Sequence, residues 1–397
     1  MKILYLHQHF STPLGSTGTR SYEFSKALIK AGHEVTMICG SYWIADSGLK
    51  GSYHNGVRKG LVDGINVIQL QLSYSNSDNY LSRTASFLKY SFQGVRYALS
   101  LEYDLIFATS TPLTAGIPGI FAKLIRNKKF IFEVRDLWPE LPKAMGVIKN
   151  PVILKLMDLL ETLTYLYSDK CVALAPGIAE GIKNKFPSKE VTIIPNGSDD
   201  YCLKTVKTIV SGKLVAAFTG AHGMANGLNS LLDVAQELLA MEESGIEIQF
   251  IGDGKLKQGL IARVERDSLT NCRFLDPMPK TELFDYLNKT VHVGLMVLDN
   301  IPAFYNGTSP NKFFDYLSLG LPVINNYPGW LAELIRDSKC GLVVNPGDAK
   351  QFAKALVSLK ENPSLCAELG SNAMSLSQSK FKRSSLAYKF VQYMIAS

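Results

Sequence analysis

The chain has 397 residues, of which 46% are hydrophobic and 19% charged, with a formal net charge of +7. That balance fits two or three packed domains and excludes a low-complexity or disordered chain. The charge excess, larger in the first half, is too small for a dedicated nucleic-acid binder, and no nucleic-acid motif accompanies it, so it points to a phosphate-bearing substrate or an anionic surface.

In chain order, Lys2–Leu6 reads as a strand, Tyr22–Ala31 as a helix stopped by Gly32, and Glu34–Ile38 as a second strand. Leu81–Leu101 carries one helical stripe of Leu81, Ala85, Leu88, Phe92, Val95 and Leu99, with Arg83, Lys89 and Arg96 off it. Leu105–Ala108, Phe130–Glu133, Cys171–Leu174 and Val191–Ile194 are further strands with helical stretches between most of them. After a weakly patterned linker, Gly197–Gly212, the alternation restarts. Leu214–Thr219, Glu247–Ile251, Cys272–Leu275, Val293–Val297 and Pro322–Ile324 read as strands. Gly227–Met241, Thr281–Asn288, Asn311–Leu319, Ala349–Leu359 and Ser384–Ile395 read as helices. Alternating β and α predicts parallel sheets covered on both faces. The expected division is an α/β domain over 1–200, a second over 201–383, and a last helix, 384–397, that belongs to either.

Several classes are excluded along the way. Leu105–Leu124 is the longest apolar candidate, but Thr109, Ser110, Thr111, Pro112, Gly116 and Pro118 interrupt it, short of the roughly 20 residues a bilayer span needs. Met1–Phe10 is too short for a secretory leader, so the expected location is the cytoplasm. The six cysteines form no Cys-x-x-Cys pair and read as reduced packing residues, not a zinc or disulfide framework. His7 and His9 share a strand face, but with no third ligand in view they read as hydrogen-bonded cleft residues, and no metal is expected.

Ligands of open α/β sheets bind beyond the carboxyl ends of the strands, and five motifs fall there. Ser11–Arg20 runs from strand to helix. Gly18 and Thr19 bring backbone close to a ligand, and Arg20 adds a forked cation suited to phosphate. Glu133, Arg135 and Asp136 put three charges at one strand end, where they must pair or serve a ligand. Thr219–Gly227 offers Gly220, His222 and Gly223 to an anion through backbone N–H groups and an imidazole. Gly252-Asp253-Gly254 follows the next strand. Finally, Pro310 suits the first turn of a helix and Ser309 its cap. Asn311 and Lys312 follow, and a cation in a first turn opposes the helix dipole unless a phosphate is bound. Asp315 shares a face with Lys312, so one reaches phosphate and the other a ribose hydroxyl, or the two form a plain surface ion pair.

The chain resembles the family 4 (group 1) glycosyltransferases of the GT-B fold, in the bacterial surface-polysaccharide branch that includes L-fucosamine transferase-like proteins. The resemblance rests on Lys2–Phe10, Gly18–Glu23, Gly32–Thr36, Asp136–Pro139, Ile194–Gly197, Gly252–Gly254, Ser309–Tyr316, Gly320–Val323 and Gly341–Asp348 in that order. It implies two Rossmann-like doubly wound domains facing a central cleft. The second would bind the nucleotide of the donor, by resemblance a UDP-sugar, and the residues expected to bind the nucleotide sugar are Gly18 and Thr19 from the first domain and Gly220, His222, Gly223, Gly252, Asp253, Asn311, Lys312 and Asp315 from the second. Asp315 stands where the family has the second Glu of a Glu-x7-Glu motif. The first Glu falls on Gly307, and the family's Arg and Lys after the first strand of that domain are absent, which shifts the phosphate contacts to Lys312, Arg20 and backbone amides. Asp136 lies near the position of a catalytic histidine in many relatives, so the catalytic set is Asp136, Arg20 and Lys312.

The resemblance also implies transfer with retention, no cofactor and no metal, and a polyprenyl-diphosphate-linked saccharide as acceptor in O-antigen, lipopolysaccharide, capsule or exopolysaccharide synthesis. Contact with the cytoplasmic face of the inner membrane, through Leu81–Leu101, goes with that acceptor; the same stripe also suits a core-facing helix. The alternatives are a nucleotide-sugar 2-epimerase of the same fold and an inactive nucleotide-sugar-binding protein.

Overall fold

The computed structural model describes residues 1–74, 80–199 and 212–396. Most of the expected linker, and Cys202, lie outside the described residues. The chain divides into two compact units. The first comprises Met1–Pro195, Asn306–Ser309 and Ser384–Ser397, and the second Asn196–Tyr305 and Pro310–Arg383.

In the first unit the order is β1 (Lys2–Leu6), α1 (Arg20–Lys30), β2 (Glu34–Tyr42), β3 (Val57–Val62), β4 (Ile65–Tyr74), α2 (Tyr80–Ser100), β5 (Leu105–Thr109), α3 (Ile117–Arg126), β6 (Lys129–Val134), α4 (Glu140–Ala144), α5 (Pro151–Tyr167), β7 (Lys170–Ala173), α6 (Pro176–Lys185) and β8 (Val191–Ile193). They build an eight-stranded sheet, β3-β4-β2-β1-β5-β6-β7-β8. All neighbours are parallel except β3, an antiparallel edge strand on β4. Gly32, at φ +85°, lets the chain leave α1 and re-enter the sheet beside β1. Asn150 caps α5, its side-chain oxygen accepting from the Val152 and Ile153 amides at 2.9 and 3.3 Å.

The second unit runs β9 (Leu214–Thr219), α7 (Asn229–Ala240), β10 (Ile246–Ile251), α8 (Lys257–Arg266), β11 (Cys272–Leu275), α9 (Lys280–Thr290), β12 (Val293–Met296), α10 (Asn311–Ser318), β13 (Val323–Asn325), α11 (Trp330–Asp337), β14 (Gly341–Val343), α12 (Ala349–Glu361) and α13 (Pro363–Lys380). Its six strands are all parallel, in the order β11-β10-β9-β12-β13-β14. The last helix, α14 (Arg383–Ile395), returns to the first unit. There Phe390 stacks on Phe24 of α1 at 4.4 Å and meets Phe107 edge-on at 5.1 Å, so α1 and α14 cover one sheet face. Side chains alternate along a strand, and Phe130 and Phe132, flanking Ile131, point to the opposite face, where α3 and α5 lie. Each unit is thus a doubly wound α/β layer. Among the described residues no helix is long and apolar enough to cross a membrane.

Candidate functional site

Strand order reverses at β1 in the first unit and at β9 in the second, and such reversals open a crevice at the strand tips. In the first unit, His7 follows β1. Its Nδ1 lies 2.7 Å from Ser21 Oγ, and Arg135 Nη1 is 3.5 Å from its Nε2. Arginine only donates, so Nε2 accepts and Nδ1 carries the proton toward Ser21. Burial and the neighbouring cations hold His7 well below its ordinary pKa and push His9 down to about 3, so both rings are neutral. Asp136, after β6, accepts from Thr111 Oγ1 at 3.1 Å. Its loop is anchored by the Arg135 amide donating to Ser110 Oγ (3.0 Å) and the Trp138 amide donating to Glu161 (2.9 Å). Burial raises the Asp136 pKa against the pull of Arg135 and Thr111, which moves the carboxylate toward the range where a general base works well. The structure therefore brings His7, His9, Arg135 and Asp136 to one set of strand tips.

Arg20 requires a correction. It is 1% exposed, and its guanidinium donates to Glu133 Oε2 at 2.9 and 2.7 Å and to the carbonyls of Pro195 and Ile194 at 2.7 and 2.8 Å. Every arm of the fork is spent inside the protein, so Arg20 is a structural tie and not the phosphate-facing cation the sequence suggests. The same bond answers the charge cluster after β6, because Glu133 is neutralised by Arg20. Thr19 is buried ahead of α1, and Gly18 is partly exposed on the loop.

In the second unit, Gly252 explains the Gly-Asp-Gly motif. At φ +145°, an added Cβ would meet the Gly220 carbonyl oxygen at 2.0 Å. The two loops run backbone to backbone, with the Gly220 amide on Ile251 O (2.9 Å) and the His222 amide on Asp253 O (2.8 Å). Asp253 itself points to solvent. His222 is fully buried among Phe218, Phe250 and Phe274, and burial lowers it to about 4. The ring is neutral, so it can meet a phosphate through one N–H and not as a cation. Among the described residues neither ring nitrogen has a hydrogen-bond partner.

Lys312 stands in the first turn of α10. Its Nζ lies over the Phe218 ring, 3.4 Å from the centroid, and a Cβ at Gly220 would sit 3.4 Å from both Cε and Nζ. No carboxylate or carbonyl partner meets it among the described residues. Desolvation alone pushes its ammonium well below the usual lysine range. The neighbouring Asn311 likewise has a buried side-chain oxygen without a donor. Pro310, expected inside the first turn with Ser309 as cap, itself occupies the cap position, and the helix starts at Asn311.

Asp315 does not form a surface pair with Lys312. It is buried, 3.3 Å from Lys280 Nζ, in a network where Lys280 also reaches Asp199 (2.5 Å) and Arg383 binds Asp199. Lys257, the first residue of α8, escapes the sequence reading. It donates to Gly252 O (3.0 Å) and Asp276 (2.6 Å), and so clasps the Gly-Asp-Gly loop. The signal for it is a lysine in a first turn, as at Lys312.

The glycosyl transferase 4-like domain model matches residues 15–197, and the glycosyl transferases group 1 model matches residues 213–362. A comparison with curated proteins finds no match. Among solved structures, the chain is similar to sucrose-phosphate synthase from Thermosynechococcus elongatus, with 16% identity, 99% of this chain and 98% of that one covered, and a TM-score of 0.75. Anabaena HepE, solved in complex with UDP-glucose, is similar with 16% identity over 99% of each chain and a TM-score of 0.67. WaaG, described as a glycosyltransferase involved in lipopolysaccharide biosynthesis, is similar with 13% identity over 100% of each chain and a TM-score of 0.65. At these identities the likeness is one of fold.

Proposed function

As the chain belongs to the group 1 glycosyltransferases of the GT-B fold, with a glycosyl transferase 4-like domain ahead of a group 1 domain, we propose that it moves a hexose-type sugar from a UDP-sugar to a lipid-linked saccharide, with retention. The observation that carries the reading is Lys312, a desolvated ammonium without an anionic partner among the described residues, beside a glycine-bearing strand-to-helix loop. A diphosphate supplies the missing charge. The UDP-glucose bound by HepE supports the donor class, and the description of WaaG supports a surface-polysaccharide pathway. Placement beside the L-fucosamine transferases and at the cytoplasmic membrane face belongs to the same proposal.

In this mechanism the bond from anomeric carbon to diphosphate oxygen breaks, and one from the acceptor oxygen forms. Lys312 and the Gly220–Gly223 amides stabilise charge growing on the leaving diphosphate. The first unit holds the acceptor at His7, Arg135 and Asp136. The acceptor proton passes to the departing phosphate, so retention needs no protein nucleophile, and the cations come from the protein. Asp315 faces the ribose from its ionic network.

The test is a thermal-shift panel of nucleoside diphosphates and nucleotide sugars, followed by product analysis. A ligand at 100 times its dissociation constant adds roughly 2.7 kcal/mol. UDP and one UDP-sugar should stabilise the protein, and the sugar should appear on an added acceptor. A free epimer without acceptor would establish the 2-epimerase instead, and tight binding without transfer or hydrolysis the inactive binder.

A further inference from the structure

Two helices of the first unit are amphipathic in the wrong sense for a water-facing surface. On α2 the residues turned inward are Ser86, Tyr90, Ser91, Gly94 and Ala98, while Leu88 and Phe92 face out, Phe92 at 72% exposure. On α5 the buried residues are Glu161, Thr164 and Tyr165, while Leu156 and Leu159 are exposed, Leu156 at 60%. Between them α3 buries Pro118, Gly119, Ile120 and Ala122 and exposes Leu124 and Ile125. The three lie side by side: a Cβ on Gly94 would touch Pro118 of α3, and one on Gly116, just ahead of α3, would touch Thr164 of α5. Among the described residues, eleven of the eighteen large exposed apolar side chains stand on these helices, whereas the second unit has only Met224. Single exposed leucines are ordinary, but a contiguous field marks an interaction surface.

Charge decides what covers it. The three helices hold six cations against two acids, Asp158 and Glu161. Both acids are bound by Lys185 at 2.6 Å. Lys89, Arg96 and Lys155 are exposed and have no ionic partner among the described residues. A second copy of the chain would set this cationic field against itself, whereas an anionic bilayer accepts the apolar side chains and the flanking cations together. We propose that the α2–α3–α5 face docks on an anionic lipid surface, lying in the interface without crossing it. The inference enlarges the membrane contact of the preceding reading, from α2 alone to a three-helix face. It stands on the surface itself, because docking needs neither donor nor acceptor.

The experiment is flotation of the full chain with vesicles of phosphatidylcholine alone and of phosphatidylcholine with phosphatidylglycerol. The protein should float with the anionic vesicles, and added salt should weaken that binding. The variant Phe92→Ser/Leu124→Ser/Leu156→Ser, whose sites are exposed, should keep the parent circular dichroism and bind about tenfold or more weakly. Lys89→Gln/Arg96→Gln/Lys155→Gln should lose the preference for phosphatidylglycerol. The proposal is overturned if the full chain stays with the buffer, or if the serine variant floats as well as the parent. A concentration-dependent dimer in sedimentation that the serine variant abolishes would also overturn it, by assigning the face to a second copy. Thermal shift with UDP, measured separately, distinguishes failure of the docking surface from failure of glycosyl transfer.

Discussion

Arg20 in the first unit and Lys312 in the second hold almost the same local position, a cation in the first turn of a helix that follows a strand-tip loop, and they have opposite surroundings. Arg20 has a carboxylate and two carbonyls; Lys312 has an aromatic ring and, among the described residues, no anion. Lys257, Lys280 and Arg383 also begin helices, and each is matched to an aspartate. A buried cation with a partner holds the fold together, whereas a desolvated one without a partner marks where a ligand's charge is due. The sharpest way to break this contrast is Arg20→Ala, which strands Glu133 as an uncompensated charge. It should cost roughly 3–5 kcal/mol in denaturant unfolding, and nucleotide affinity of the folded fraction should stay near the parent value. Stability within about 1 kcal/mol of the parent combined with lost nucleotide binding would return Arg20 to the ligand site.

Lys312→Met sharpens the other side. Loss of the leaving-group cation should reduce turnover about 10²–10³-fold, the scale for removing one charge-stabilising donor. The melting temperature of the ligand-free protein should hold or rise, because methionine fills similar space without a charge to desolvate. Steady-state transfer and a thermal melt on the same preparation check both halves. A variant that is less stable and equally active would make Lys312 a structural residue.

The legible part of this molecule is its local part. The Gly-Asp-Gly motif, the α10 segment and the strand runs announce themselves within ten residues, because apolar runs and glycine turns are set by near neighbours. What the sequence hides is who pairs with whom. Glu133 lies 113 positions from Arg20, and the Asp199–Arg383 bond spans 184, so nothing in the Ser11–Arg20 loop reveals that its cation is already neutralised. The hairpin of β3 and β4 escapes because β3, Val57-Arg-Lys-Gly-Leu-Val62, is an edge strand whose polar residues read as loop. On α2 the apolar stripe is visible but its direction is not: Gly94 and Ala98 let the helix close against its neighbours, Tyr90 points inward with its hydroxyl donating to the Ile38 carbonyl, and Leu88 and Leu99 are left outside.

The smallest effect is the most specific. Burial holds unliganded Lys312 well below the ordinary lysine range, so in the window above that depressed value the folded chain lacks a proton that the unfolded chain binds. The Lys312 contribution to stability of the ligand-free protein, read as the difference between the parent and Lys312→Met, should therefore rise with pH across that window and level off near the ordinary lysine value; the buried thiols, held above their ordinary range, pull total stability the other way at alkaline pH and cancel in that difference. A bound diphosphate restores the charged form, so UDP binding should take up a proton, and affinity should fall as pH rises between the free and bound values. Working above the phosphate's own titration, near about 6, keeps the ligand's charge constant. His9 and His222, held at about 3 and about 4, are neutral there and add nothing to the uptake. Calorimetry in two buffers of different protonation enthalpy reads the uptake directly. In Lys312→Met the proton uptake should vanish and the pH slope of stability should lose the lysine's share; an unchanged uptake would move the titrating group away from α10 and with it the assignment of the diphosphate.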